Sequence, residues 1–257
     1  MSVARKMQMA RSGAQQETGT GTGSPLTLTP FYSQANTGNT YPNSNTTPVN
    51  RSYSSSGKTV ASTDTIVVGF FNQSSTGDYA KSVGAEIGGV TATEVVSCGV
   101  TSNVGRASGG IYYATGITLN NQTLTIREKL VGSGGDVFRS GICVWKITGA
   151  NPVYVKDSFI QSYNNSWADS GGVTATTGDT VNIGTGEVCI VQSGGDWDYA
   201  NSGLFGYTGA TLQFDFSTET YASVAGGYKT DAATNHTIAH SVRSEWMLAV
   251  AVFGSTA

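Results

Sequence analysis

The chain has 257 residues, only 12% of them charged, and a formal net charge of -3. Glycine is abundant, with 34 residues, whereas Lys and Glu, which favour helix surfaces, are scarce; this composition favours strands and turns over helices. The length suffices to bury a core without metal or disulfide support. Because acidic residues outnumber basic ones after residue 64, we expect no nucleic-acid partner, which would need a basic face.

Residues 1–64 have the composition of an extended N-terminal arm. The segment SVARKMQMARSGAQQE is compatible with a short helix, and the Gly/Thr/Ser/Pro-rich stretch that follows, up to Gly57, has almost no aliphatic residues. Such a stretch buries too little apolar surface to order alone. We predict an arm that attaches to a partner, with a frayed terminus as the alternative. Its candidate attachment residues are Arg5, Lys6, Met7, Arg11, Phe31 and Tyr32.

Two further features bear on the compartment. The N-terminal MSVARKMQMARSG lacks the apolar stretch of an export signal, and no segment approaches the length of a membrane span. Cys98, Cys143 and Cys189 lie in or beside apolar runs, which is typical of small buried side chains. We therefore expect a protein made in the cytoplasm, without a membrane partner, whose thiols are free and buried.

After Asp64 the sequence becomes a series of strand signals. TIVVGFF is a buried-type run, and Gly88-Gly89 has the chemistry of a tight hairpin turn. In QTLTIREKL, Leu124 and Ile126 fall on one face. The run WMLAVAVFG is apolar on both faces, so it should lie centrally, between the core and a second cover. We predict an all-β domain over residues 65–257, an antiparallel β-sandwich of jelly-roll-like type.

Catalytic patterns are weak throughout the chain. It contains no Gly-x-Ser-x-Gly elbow and no phosphate-binding glycine loop followed by a helix. His236 and His240 would share a strand face, but no third metal ligand is suggested nearby. We expect no catalytic residues, no metal and no cofactor, and hence no enzyme.

The best candidate site is the segment DWDY. An exposed Trp stacks on sugar rings and carboxylates accept hydroxyl hydrogen bonds, so a ligand-contact rim is predicted at Asp196, Trp197, Asp198, Tyr199 and, as a second aromatic, Trp167. The spacing departs from a calcium loop, whereas paired carboxylates for glycoside hydrolysis stay open, since the fold sets their separation. The structural alternative is that Trp197 caps the sandwich and the aspartates serve a turn.

The order of these elements resembles a group of uncharacterised β-sandwich virion proteins of tailed bacteriophages and prophages. The matching segments are DTIVVGFF, AEIGGVTATEVVS, RASGGIYYATGI, TLTIRE, GICVWKITGA, GEVCIVQSGGDW and WMLAVAVFG. The resemblance covers about residues 65–257 and carries no catalytic residues.

The resemblance implies a virion structural protein: a capsid decoration or cement protein, or a head, collar or tail fibre component. Its partners would then be other virion proteins, and a homo-oligomer is the default assembly. The alternative is a glycan-binding module that recognises the host surface.

Overall fold

A computed structural model describes residues 7–10, 25–36, 47–74, 80–98, 107–132, 137–149, 153–163, 175–196, 206–219, 222–242 and 246–255. In these ranges the chain forms eighteen strands and no helix. They are β1 (Met7–Ala10), β2 (Thr27–Asn36), β3 (Val49–Val60), β4 (Thr65–Ser74), β5 (Ala80–Ile87), β6 (Val90–Thr91), β7 (Thr93–Cys98), β8 (Ala107–Thr115), β9 (Leu119–Gly132), β10 (Val137–Thr148), β11 (Val153–Tyr163), β12 (Ala175–Ile183), β13 (Val188–Asp196), β14 (Gly206–Thr208), β15 (Thr211–Glu219), β16 (Ala222–Lys229), β17 (Ala233–Val242) and β18 (Trp246–Ser255).

The strands build four antiparallel sheets. Sheet A has the order β1-β11-β18-β13-β16-β15, sheet B β2-β10-β4-β8-β7, sheet C β3-β9-β5-β6 and sheet D β12-β17-β14. Three apolar cores join them, one between C and B, one between B and A, and one between A and D. The predicted all-β antiparallel sandwich is therefore confirmed, and it is built from four stacked layers in the order C, B, A, D.

Sheets A and B are covered on both faces, which explains their continuous apolar runs. In β4, Val68 and Phe70 enter the C–B core while Val67 and Phe71 enter the B–A core. All ten residues of β18 are buried, and the strand lies between β11 and β13. The prediction of a central strand with a second cover is confirmed.

The outer sheet C follows the alternating pattern that one buried face requires. Leu124 and Ile126 of β9 are fully buried, whereas Arg127 faces outward. Gly88 and Gly89 connect β5 and β6 with φ of 57° and 85°, the left-handed values that a two-residue hairpin turn needs. The predicted hairpin is therefore confirmed.

The N-terminal region differs from the predicted arm over residues 1–64. Strand β1 pairs with β11, β2 with β10, and β3 with β9. Met7–Ala10 is thus extended rather than helical. The Ser-rich β3 alternates, so that Arg51 and Tyr53 point into the sandwich and Ser52 and Ser54 face out. Because neighbouring strands supply the hydrogen bonds and the core, the low aliphatic content of these segments is no obstacle to order.

Long connections gather at one end of the sandwich. Strand ends at the opposite end are joined by two to four residues, as between β3 and β4 or β12 and β13. The connections β2–β3, β7–β8, β11–β12 and β13–β14 are eight to twelve residues long, and they leave and re-enter the sheets at a shared end. Among the described residues, no helix has the length and apolarity to cross a membrane.

Candidate functional site

Backbone register places the strand ends that precede the two predicted rim segments at one end of sheet A. Tyr163, near the end of β11, and Gly195, near the end of β13, both lie opposite Trp246 of β18. The chain leaves these strands towards Trp167 and Trp197, so the two segments depart about 10 Å apart, two strand spacings. Asp196 is the last residue of β13. Trp167, Trp197, Asp198 and Tyr199 lie outside the described residues.

The candidate attachment residues divide into two groups. Arg5, Lys6 and Arg11 lie outside the described residues, and Met7 opens β1, opposite Tyr163. Phe31 and Tyr32 belong to β2, the edge of sheet B, where both pack against the C–B core. Of the three described residues, Met7 thus lies in sheet A, whereas Phe31 and Tyr32 lie in sheet B.

Phe31 and Tyr32 fasten β2 to sheet C. The Lys58 ammonium donates to the Phe31 carbonyl oxygen at 3.0 Å and lies 4.8 Å from the Phe31 ring centroid and 5.1 Å from that of Tyr32, within cation–π range. Ser54 N–H donates to Gln34 Oε1 at 3.1 Å. These contacts join β2 of sheet B to β3 of sheet C. Both aromatic residues therefore help to hold the two sheets together.

The two histidines contact a carbonyl oxygen and an aromatic ring, respectively. His236 Nε2 donates to the Gly209 carbonyl oxygen at 2.7 Å. His240 is buried with its ring edge-on to Trp246, the centroids 4.8 Å apart, and burial lowers its pKa to about 3. In the part of the chain that the structure describes, no three His, Cys, Asp or Glu side chains are placed to share a metal ion.

All three cysteines are buried and free, as expected. Burial raises the pKa of Cys143 and of Cys189, with smaller contributions from the neighbouring carboxylates Asp215 and Asp157. Since the thiolate is the nucleophile, the raised pKa and the burial both disfavour reaction at Cys143 and Cys189.

The most concentrated polar chemistry in the described residues lies between sheets C and B. Glu128 of β9 is fully buried. Its Oε1 accepts hydrogen bonds from Asn72 Nδ2 at 2.6 Å and from the Ser82 hydroxyl. Arg51, opposite Glu128 in the β3–β9 register, donates to Asn72 Oδ1 at 3.4 Å. The set bridges β3, β5 and β9 of sheet C to β4 of sheet B.

Two tyrosines extend this cluster. The Tyr53 hydroxyl donates to Ser140 Oγ at 3.0 Å, and the Tyr112 hydroxyl lies 3.3 Å from the Ser82 carbonyl oxygen and 3.2 Å from Glu94 Oε2. Burial raises the pKa of both tyrosines. Both hydroxyls therefore stay protonated and donate hydrogen bonds at any physiological pH.

The surroundings of Glu128 shift the pKa of its carboxyl group in two opposite directions. Burial raises its pKa, and the donors Ser82, Arg51 and Asn72 offset that effect only in part. Within the described residues, Glu128 Oε2 is buried without a hydrogen-bond partner. A buried charge is costly unless paired and hydrogen-bonded. A catalytic carboxyl must also contact its substrate, whereas this one is enclosed between two sheets, which it joins through its hydrogen bond with Asn72.

Sequence reasoning missed this cluster, because its members come from the five strands β3, β4, β5, β8 and β9 and each looks unremarkable in its own segment. The one available signal is the alternation in VNRSYS, where Arg51 shares a face with the aromatic Tyr53.

In comparisons with known proteins, no family model, no curated protein and no solved structure matches this chain.

Proposed function

We propose that this protein is a structural component of a tailed-phage virion, in the class of capsid decoration, cement or fibre proteins. The carrying observation is where the phage-like segments lie. DTIVVGFF, RASGGIYYATGI and GICVWKITGA form β4, β8 and β10 at the centre of sheet B, and GEVCIVQSGGDW and WMLAVAVFG form β13 and β18 of sheet A. Five of the seven matching segments thus lie in the two inner layers, whereas TLTIRE and the hairpin of AEIGGVTATEVVS belong to the outer sheet C.

Two physical features suit an assembly subunit. Three stacked apolar cores hold the sandwich together, which makes it rigid. Near the N-terminus the four-residue strand β1 pairs with the edge of sheet A, and a polar connection joins β1 to β2. The attachment role proposed for the arm therefore narrows to residues 1–24, since 27–36 and 49–60 are strands of the sandwich itself.

Particle association is the direct test. Particles from the strain that carries the gene would be purified on a density gradient after induction, and peptides of this chain would be quantified by mass spectrometry across the gradient. We expect the chain to peak with the major capsid protein. A chain abundant in the lysate but missing from the particle fraction would refute the proposal.

Attachment by the arm is tested with charge variants. Replacing Arg5, Lys6 and Arg11 together by Ala should lower incorporation into particles, because these are the basic residues that precede the sandwich. The matched control replaces Lys81, Arg127 and Lys129 on sheet C by Ala, which removes the same charge from the body. If the two variants are incorporated equally, the basic residues of the arm are not what attaches the protein to the particle.

Glycan binding is the second candidate, favoured by the shared end at which the Trp167 and Trp197 segments leave sheet A. Binding to a glycan array would be compared for the parent, Trp167→Ala and Trp197→Ala. Tyr228→Ala, towards the opposite end of β16, is the aromatic control. We expect both Trp variants to lose binding of the same glycans; binding that persists in both would exclude this rim.

A further inference from the structure

Four side chains of the polar cluster between sheets C and B have the arrangement of an acyl-transfer site. Asn72, Ser82 and Glu128 are fully buried, and Arg51 is 2% exposed. Because Glu128 is enclosed between the two sheets, its carboxyl can act only on groups of this chain. The groups hydrogen-bonded to it are the hydroxyl of Ser82 and the carboxamide of Asn72.

Ser82 is placed as the nucleophile of such a site. Its hydroxyl donates to Glu128 Oε1, the contact that a serine makes with its general base. Its Oγ accepts a hydrogen bond from Asn72 Nδ2 at 3.4 Å, and the amide carbon is one covalent bond from that nitrogen. Ser82 belongs to β5 of sheet C and Asn72 to β4 of sheet B. The hydroxyl and the amide therefore meet across the boundary between the two layers.

The carboxamide of Asn72 is held at both of its polar atoms. The Arg51 guanidinium donates to Oδ1 at 3.4 Å, and a cation at this position stabilises the negative charge that develops on the oxygen when the carbon is attacked. Nδ2 donates to Glu128 Oε1 at 2.6 Å. Oε1 thus contacts both the hydroxyl that would lose a proton and the nitrogen that would gain one.

We propose that Ser82 and Asn72 form an intramolecular ester, which covalently joins sheet C to sheet B. Glu128 takes the proton of the Ser82 hydroxyl, Oγ attacks the Asn72 amide carbon, and the electron pair of the C=O bond moves to Oδ1 beside Arg51. When that pair returns, the C–N bond breaks and Glu128 passes the proton to the nitrogen, which leaves as ammonia. One C–O bond forms and one C–N bond breaks, so the step needs no oxidant, reductant or further reactant.

The burial of the cluster favours ester formation over hydrolysis. Because Asn72 and Ser82 are closed to solvent, water is kept from the amide carbon before the reaction and from the ester after it. Burial raises the pKa of Glu128, which makes its carboxylate a stronger base, while the charge of Arg51 favours the ionised form that the first step requires. The cross-link goes beyond the proposed function, since it concerns the interior of the subunit and holds wherever the protein acts.

Mass spectrometry of the purified full-length chain tests the ester directly. Loss of ammonia lowers the mass by about 17 Da, and we expect the folded protein to show this loss during incubation at neutral pH. Trypsin cleaves after Lys81, between Asn72 and Ser82, so the ester should join peptides 59–81 and 82–106. A chain that keeps its unreacted mass would overturn the proposal. The same loss without joined peptides would also overturn it, because a cyclic imide at Asn72 has the same mass.

Matched variants test the role of each group. Ser82→Ala removes the nucleophile and Glu128→Gln removes the base, so both should keep the ammonia, whereas Ser82→Thr retains a hydroxyl and should restore the loss. Ser140→Ala is the control, because Ser140 lies opposite Asn72 in the β4–β10 register but its hydroxyl is hydrogen-bonded with Tyr53. Circular dichroism verifies that each variant is folded. An ammonia loss that persists in Ser82→Ala, or that is absent from folded Ser140→Ala, would overturn the assignment.

Discussion

Replacing Glu128 by Gln tests how the buried cluster couples to pH. In the unfolded chain a Glu carboxyl titrates near 4.3, whereas burial raises the pKa of Glu128 in the folded protein. Above about pH 4.3 the folded state therefore binds more protons than the unfolded state. The contribution of Glu128 to stability must then fall as the pH rises through that window, by at most about 1.4 kcal/mol per pH unit. Glutamine keeps an acceptor for Asn72 and Ser82 but has no proton to lose, so the variant lacks this slope.

The assay is urea unfolding of both proteins between pH 4 and pH 8. Replacing the carboxyl by an amide also changes its hydrogen bonds with Asn72 and Ser82, and this change shifts the stability of the variant by an offset that does not depend on pH. The tyrosines of the cluster, Tyr53 and Tyr112, do not ionise in this range. The difference in unfolding free energy, variant minus parent, should therefore rise with pH whatever its offset.

The matched control is Glu86→Gln. Glu86 forms a partly exposed ion pair with Arg127 on sheet C, and such pairs contribute about 0–1 kcal/mol. The reasoning is refuted if the difference in unfolding free energy, Glu128→Gln minus parent, stays constant or falls as the pH rises. Either result would show that folding does not raise the pKa of this carboxyl.

Three further outcomes are expected. A Cβ at Gly194 would overlap the Phe71 ring, so Gly194→Ala should destabilise by about 1–3 kcal/mol; in Gly84→Ala the nearest atom is 3.7 Å away and thermal unfolding should change little. Native protein should not react with a thiol reagent, whereas denatured protein should titrate all three thiols. Because burial lowers the pKa of His240 to about 3, the contribution of His240 to stability should fall as the pH drops below about 6.5, and the difference in unfolding free energy between His240→Phe and the parent should rise as the pH drops in urea titrations.

Local patterns predicted the interior of the fold well. The two apolar faces of β18 placed it between two cores, and Gly88-Gly89 specified a hairpin, because in each case the residues themselves carry the constraint. The alternation of Leu124 and Ile126 likewise marked the buried face of β9.

The same reasoning missed β2 and β3, whose order depends on partners far along the chain. Strand β2 carries Pro30, which removes a hydrogen-bond donor but is tolerated at a sheet edge; the register shifts where it pairs with β10. Strand β3 turns Arg51 inward, where Glu128 and Asn72 receive it. Composition made both segments resemble a linker, since no local pattern shows which strand will accept them.

The sequence predicted which residues could form the candidate rim, but not where their segments begin in the fold. The sequence suggested Trp167 and Trp197 because of their polar, glycine-rich surroundings. That their segments leave sheet A on either side of Trp246 follows from the register of β11, β18 and β13, which depends on strand order and not on any motif.

The position of β18 has a consequence for biosynthesis. Its ten residues carry no charge, and such a strand is prone to pair with other chains until it is covered. Both of its neighbours, β11 and β13, precede it in the chain and are made first, so sheet A is complete only once β18 has been made. Because β18 contributes side chains to both the B–A and the A–D core, we expect neither core to close before this strand is in place.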